Sequence, residues 1–471
     1  MGYLRHMDLT AEEIARTCGG RLLAGDPGRH FHEIALDSRK VPRDALFAAL
    51  PGARVDGHDF VGTALAAGAA GAILNRPVEA PDGAVLIQVP DTTEALQTLA
   101  ASWRKRLQAT VIGVAGSNGK TTTKETLGAV FAKAGRTWAT PGNANSQVGA
   151  PLAILATPLD CEFLILELGT SAPGELGRLA RMAQPHHAAV TAAFAEHLEW
   201  LGSVAGVIEA ETEILDALDT GALAVIGSAE PDLVTAARRR AALRIEALGR
   251  NEADDWRLTD VETSRNGTHF RLAGPRQPAR AWEIPLLGEP AAWAGAFAVA
   301  LATALGVDAD TVQAGLREVE PAAHRLVPVV HPTEPLLVLD DCYNSNPASC
   351  IAAIDTAAAL ARSSGRLVLV VGDMLELGEA SDDAHDEVGT AIGERASKID
   401  VLIAVGPESE RIATIAGGYG IDVRHVAGAT EATRLTREIL SDGAPTTVLA
   451  KASRGIGLDA LVAELVPGSA G

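Results

Sequence analysis

Residues Val111 to Glu125 read VIGVAGSNGKTTTKE, and no other stretch restricts the fold of this chain as much. A run suited to a buried strand is followed by a Gly-rich turn, and Lys-Thr-Thr then opens a helix. Backbone N–H groups around Gly116, Ser117, Asn118 and Gly119, with the helix N-terminus behind them, can cradle phosphates. Lys120 can reach the terminal phosphates, the Thr121 hydroxyl can bind Mg²⁺, and Thr122 closes the nucleotide-binding stretch. The general phosphate-loop pattern asks for glycine at position 114, where this chain has Val114. The bland alternative is a chance Gly-Lys-Thr in a surface loop; the strand before it and the helix after it weigh against that.

The apolar runs FLILEL (Phe163 to Leu168) and AAVTAA (Ala188 to Ala193) alternate with helical patterns, the signature of parallel strands joined by crossover helices. A second such series starts near Leu336, with LLVLD, LVLVVG (Leu367 to Gly372), VLIAVG (Val401 to Gly406) and TTVLAK (Thr446 to Lys451). Between about 250 and 285 the pattern turns polar and strand-like around an Asn266-Gly267 turn, which reads as a closing subdomain, before an Ala-rich helix from about 290 to 306. Ahead of all this, residues 8 to about 108 mix short segments, opening on Thr10 and Glu13 spaced as a capping box. At 471 residues the chain is too long for one core. The expected fold is α/β in three domains: a small α/β N-terminal domain (1–108), a central P-loop-type ATPase domain with a parallel sheet (109–322), and a Rossmann-like C-terminal domain (323–471). Prolines between Pro321 and Pro335 mark the second boundary.

Hydrophobic residues make up 47% of the chain and charged residues 21%, which suits a globular protein that folds throughout. A net charge of −20 repels phosphate backbones, so nucleic acid is not an expected partner, although a nucleotide can bind in a local basic pocket. The start of the chain has no apolar run of signal-peptide length, and the later apolar stretches are broken before membrane-spanning length, so no membrane association and a cytoplasmic location are expected. Cys18, Cys161, Cys342 and Cys350 have no metal-ligand or disulfide spacing and read as reduced, small apolar residues.

The loop GSNGKTT resembles that of the Mur ligases and their folylpolyglutamate synthase relatives. Other stretches extend the resemblance over nearly the whole chain: LDSRKVPRDALFAALPGARVDGHDF (Leu36 to Phe60), TPGNANSQVGAP (Thr140 to Pro151), LELGTSAPGEL (Leu166 to Leu176), AEHLEWLGS (Ala195 to Ser203), DDCYNSNPAS (Asp340 to Ser349) and VVGDMLELG (Val370 to Gly378), the last followed by His385. The resemblance implies an ATP-dependent, ADP-forming amide-bond ligase. It would join D-alanyl-D-alanine to a UDP-linked cell-wall peptide by way of an acyl phosphate. It also implies that Lys120, Glu167 and His197 are catalytic, the last two helping to hold Mg²⁺, and that Arg325, Asp341 and Asn344 contact the nucleotide. Ser38, Arg39, Asn143 and Asn145 fall in motifs that would hold the peptide substrate. Physics agrees for Glu167 and His197, which follow strands whose carboxyl ends lie beside the phosphate loop. Asp341 and Asn344 could equally cap the helix beginning near Pro347. Monomer is the default oligomeric state.

Several positions depart from the family pattern. Glu211 stands where the family usually has a carbamylated, metal-linked lysine, on a face with Val204, Val207, Ile208, Leu215 and Leu218 that predicts one continuous helix. Interrupting an apolar stripe, it favours a metal-linked role over a solvated charge. GEPAAWAGA (Gly288 to Ala296) replaces the family's adenine-binding Gly-x-His-Asn-x-x-Asn element, Ala192 replaces an asparagine, and KASR (Lys451 to Arg454) replaces Lys-Gly-Ser-Arg. Two other functions stay open on these grounds: a ligase of the same chemistry for another acid and amine, and a nucleotide-binding paralogue without turnover.

Overall fold

The computed structural model describes residues 7–52, 55–275, 277–361 and 365–467. Three larger sheets, of five, nine and six strands, organise these residues. The first runs Arg21–Ala24, Val85–Gln88, Gly71–Leu74, Leu46–Ala48, Ile34–Ala35, parallel except at the first edge. The capping box is present: Thr10 accepts from Glu13 N, and the Glu13 carboxylate takes Thr10 N at 2.8 Å. Helix Thr92–Arg104 fastens this unit to the next. Buried Trp103 donates Nε1 to Thr157 O at 3.1 Å, and buried Arg104 donates Nε to Ala183 O at 2.8 Å. One apolar core consequently extends from Met7 to Ala247.

The nine-stranded sheet is built around Thr110–Ala115, flanked by Phe163–Glu167 on one side and His187–Val190 on the other, all parallel. Val111, Ile112, Val114 and Ala115 are fully buried, because helices cover both faces of the sheet; that is why this strand reads as a continuous apolar run. Burying each of its larger side chains contributes on the order of 1.5–3 kcal/mol. Since the chain moves outward from Thr110–Ala115 in both directions, a crevice opens at the strands' carboxyl ends. The strands beyond residue 250 extend this same sheet and make no separate subdomain: Trp256–Ser264 pairs parallel with Arg244–Gly249 and antiparallel with Gly267–Gly274. Their turn is offset by one residue from the expected Asn266-Gly267. Arg265 and Asn266 lie between the strands, and Gly267, at φ 131°, already belongs to the second strand. A Cβ there would lie 2.3 Å from Ile284 O, so the third strand of the meander requires this glycine. The Ala-rich helix, Glu289–Ala304, packs on these strands.

The six-stranded sheet runs Val327–Val330, Leu336–Asp341, Thr446–Lys451, Arg366–Gly372, Val401–Val405, Asp422–Val426; only the first is antiparallel. All four strands expected from apolar runs in this region are present, within a residue at each end. The four cysteines are free thiols, three of them buried. Among the described residues no helix is long and apolar enough to cross a membrane.

Candidate active site

Gly116 and Gly119 take φ values of 126° and 83°, and a Cβ on Gly116 would meet Thr191 Oγ1 at 2.2 Å. Conformation and packing both demand glycine at the start of the turn. Val114 is still inside the strand, so it does not disturb a loop that begins two residues later. The segment after His187–Val190 braces the loop: Ser117 N donates to Ala192 O at 2.9 Å, and Thr191 Oγ1 donates to Asn118 O at 2.5 Å. Lys120 opens helix Lys120–Ala132, and its ammonium turns back to Gly116 O and Ser117 O, with Glu196 Oε1 3.7 Å away. Burial works to lower the Lys120 pKa, but Glu196, Glu211 and Glu167 outweigh it and hold the group above its ordinary value.

Glu167 closes its strand with Oε1 accepting from Thr121 Oγ1 at 3.1 Å and from Asn145 Nδ2 at 2.6 Å, while Oε2 is buried without a partner. A buried carboxylate oxygen lacking a donor calls for a cation, and Glu167 with Thr121 supplies the hard oxygen donors that Mg²⁺ takes. The residues present thus fit that ion. His197, at φ 51°, places Nε2 3.1 Å from Glu196 and Nδ1 3.0 Å from Glu376. The hydrogen bond with Glu196 raises the His197 pKa against the opposing effect of burial. Burial pushes the Glu196 carboxyl up, and Lys120 with His197 more than reverses this.

Glu211 is placed differently from expectation. Helix Val204–Thr212 gives way to a 3₁₀ turn over Glu213–Ala217, and Leu218 is extended, so the continuous face from Val204 to Leu218 does not form. The Glu211 side chain is buried behind the loop, outside the cleft wall, where Oε2 accepts Gly116 N at 2.6 Å. One oxygen of its carboxylate thus takes a backbone donor. Burial, the largest influence, pushes its pKa up to about 7. Among the described residues no three His, Cys, Asp or Glu side chains gather as a metal-binding group. Thr121 and Glu167 meet; His197 and Glu211 face other partners.

The third sheet supplies the opposite wall of a cleft of about 1180 Å³, lined by Ser117 to Thr122, Asn143, Asn145, Glu167, His197, Arg325, Asp341 and Asn344 among others. The Arg325 guanidinium lies 4.0 Å from the centroid of the Tyr343 ring. Asp341 is paired with Lys451 at 2.8 Å, and Lys451 also donates to Asn344 O at 3.0 Å. That pair follows from register, since Asp341 and Lys451 lie side by side at the ends of adjacent parallel strands. Neither Asp341 nor Asn344 caps helix Pro347–Ala361. Asn346 does, accepting Ser349 N on Oδ1 at 2.9 Å. Asn143 donates its amide to the Tyr343 hydroxyl. Ser38 and Arg39 belong to the first unit and do not line this cleft; Arg39 is exposed and paired with Asp37 at 2.8 Å. In the stretch that replaces the family's adenine-binding element, Glu289 Oε1 accepts from Trp293 Nε1 at 3.1 Å and Arg250 Nε at 2.9 Å, and both Glu289 and Trp293 line the cleft.

Four residues of the site escaped the sequence reading. Glu196 stands next to His197, and Tyr343 and Asn346 lie inside DDCYNSNPAS, so proximity to residues already singled out was their signal. Lys124, fully buried, donates to Thr140 O and Gly142 O, both at 2.9 Å, and holds the segment carrying Asn143 and Asn145.

A phosphate loop at the switch point in the parallel part of a mixed sheet, faced by a second α/β unit across a cleft, defines an α/β protein of the phosphate-loop nucleotide-binding class. Three family models divide the chain among them: the Mur ligase family catalytic domain over residues 30–104, the Mur ligase middle domain over 114–303, and the Mur ligase glutamate ligase domain over 324–454. The UDP-N-acetylmuramoyl-tripeptide–D-alanyl-D-alanine ligase of Bacillus subtilis is 36% identical over 440 residues, covering 93% of both chains. That of Escherichia coli is 33% identical over 460 residues, covering 98% of both. Crystal structure I of MurF from Acinetobacter baumannii superposes with a TM-score of 0.85 at 28% identity, covering 98% of this chain and 99% of that one. MurF of Thermotoga maritima in complex with ADP gives 0.78 at 27% identity, covering 91% and 96%. The chain belongs to the Mur ligase family.

Proposed function

We propose that this enzyme joins D-alanyl-D-alanine to UDP-N-acetylmuramoyl-tripeptide at the expense of ATP, in peptidoglycan precursor synthesis. One observation carries the reading: the phosphate loop, Glu167 and His197 on the central sheet and Arg325, Asp341 and Asn344 on the third line one cleft. Residues 1–108 hold the UDP end of the substrate with Ser38 and Arg39 near it, 109–322 hold ATP, and 323–471 close over it. The loop amides of Gly116 to Gly119 grip the phosphates, with Thr122 beside them. A peptide carboxylate oxygen then attacks the γ-phosphorus and ADP leaves. The amine of D-alanyl-D-alanine displaces phosphate from the resulting acyl phosphate and loses a proton as the amide forms.

Lys120, kept cationic by Glu196, and Arg325 neutralise charge that builds on the transferring phosphoryl group. Mg²⁺, held by Thr121 and Glu167, would supply further charge neutralisation at the phosphates. Asn143 and Asn145 line the substrate side, and closure keeps water from the acyl phosphate. In this reading the enzyme acts as a monomer, in the cytoplasm where ATP is available. The test is phosphate release from purified protein with Mg²⁺ and ATP. Release that needs both the UDP-linked tripeptide and D-alanyl-D-alanine supports the reading; release only with another acid and amine, or none with any pair, overturns it.

A further inference from the structure

The third unit reaches the phosphate loop itself through a pair of side-chain amides. Asn118 Nδ2 donates to Asn346 Oδ1 at 3.0 Å, and Asn346 Nδ2 donates back to Asn118 Oδ1 at 2.8 Å. The orientation of the Asn346 amide is fixed independently, because Oδ1 also accepts the backbone Ser349 N at 2.9 Å and so must be the oxygen. Asn346 is buried and held a third way, its own N donating to Ser349 Oγ at 3.1 Å. Its amide is thus rigid with respect to helix Pro347–Ala361. On the other side, Asn118 sits between Gly116 and Gly119, the two positive-φ hinges of the loop, and its carbonyl is held by Thr191.

We propose that Asn346 is a positioning residue: through the reciprocal amide pair with Asn118, seating of the third unit fixes the shape of the phosphate loop. Two neutral, directional hydrogen bonds read distance and orientation, which a long-range charge would not do. Other contacts cross the same interface, Tyr343 with Asn143 and Glu376 with His197, but only Asn118 is part of the loop that would surround the phosphates. When the third unit withdraws, the Asn118 amide loses its partner and the turn between the two glycines loses a brace. Domain seating and loop order are therefore two readings of one equilibrium.

Asn346→Ser separates this role from helix capping, since serine caps a helix well but cannot reach Asn118. Hydrogen exchange of residues 116–122 in the nucleotide-free protein is the primary measurement, and it does not depend on the ligase reading. We expect exchange on the order of tenfold faster in Asn346→Ser and in Asn118→Ala, with the double variant no faster than either single one. The thermal midpoint of Asn346→Ser stays at the wild-type value. Unchanged exchange in Asn346→Ser, or single effects that multiply in the double variant, overturns the proposal. The second measurement rests on the proposed activity: kcat falls about tenfold in Asn346→Ser, and a wild-type kcat counts against the role. Inactive wild-type protein sinks the ligase reading alone, while hydrogen exchange still decides the role of Asn346.

Discussion

Asn145 grips Glu167: its amide lies 2.6 Å from Oε1, and Oε2 of the same carboxylate is left buried with no donor. The second oxygen is poised for a cation. In Glu167→Gln the Asn145 and Thr121 bonds can persist while an NH₂ group replaces the free oxygen. Turnover of ATP at a given Mg²⁺ concentration should fall about 100-fold or more, while ADP binding without Mg²⁺, measured by calorimetry, stays near the wild-type value. Wild-type turnover in this variant, over a full Mg²⁺ titration, removes Glu167 from the metal site.

The Lys120 ammonium touches two loop carbonyls and faces Glu196, its one charged partner within 4 Å among the described residues. Lys120→Met keeps most of the length of the side chain and removes the charge. We expect kcat to drop by roughly 10²–10³-fold, as for loss of a single transition-state donor. The check is single-turnover phosphate release at saturating ATP; a loss confined to KM would mean that Lys120 only binds.

Much of the scaffold was legible and much of the site was not, for a common reason. Buried parallel strands such as Thr110–Ala115 and Thr446–Lys451 announce themselves as uninterrupted apolar runs, because burial on both faces acts on consecutive residues. Side-chain partners are set by distant chain. Asp341 meets Lys451 across 110 positions, and Asn118 meets Asn346 across 228. The sequence pattern places Glu211 on one continuous helical face, but the helix tightens after Thr212 and the carboxylate finds Gly116 N, neither of which periodicity encodes.

The buried pair of Lys451 and Asp341 is a case where removing one partner should cost far more than the pair contributes. With side chains 1% and 13% exposed, Lys451→Met leaves a nearly buried carboxylate without its counter-charge. Such a change destabilises by about 3–5 kcal/mol. Urea unfolding should show the loss in the transition of the third unit, and adding Asp341→Leu to Lys451→Met should recover most of it. Asp341 also accepts Leu326 N at 3.2 Å, and no recovery would mean that losing this bond outweighs relief of the unpaired charge.

Glu211 predicts a pH dependence with a definite sign. Its pKa is raised from 4.5 to about 7, chiefly by burial, against the Lys120 charge and the Gly116 N–H that favour the carboxylate. The folded chain therefore holds a proton that the unfolded chain has already released between those two values. Stability from this group is complete below 4.5 and is lost as pH rises through about 7. At roughly 1.4 kcal/mol per unit the loss is on the order of 3 kcal/mol. Glu211→Gln can still accept from Gly116 N but cannot titrate. Metal-free wild type should therefore lose stability relative to Glu211→Gln across that window, as read from urea midpoints. Parallel curves for the two proteins would mean that the Gly116 N–H and Lys120 keep Glu211 ionised throughout.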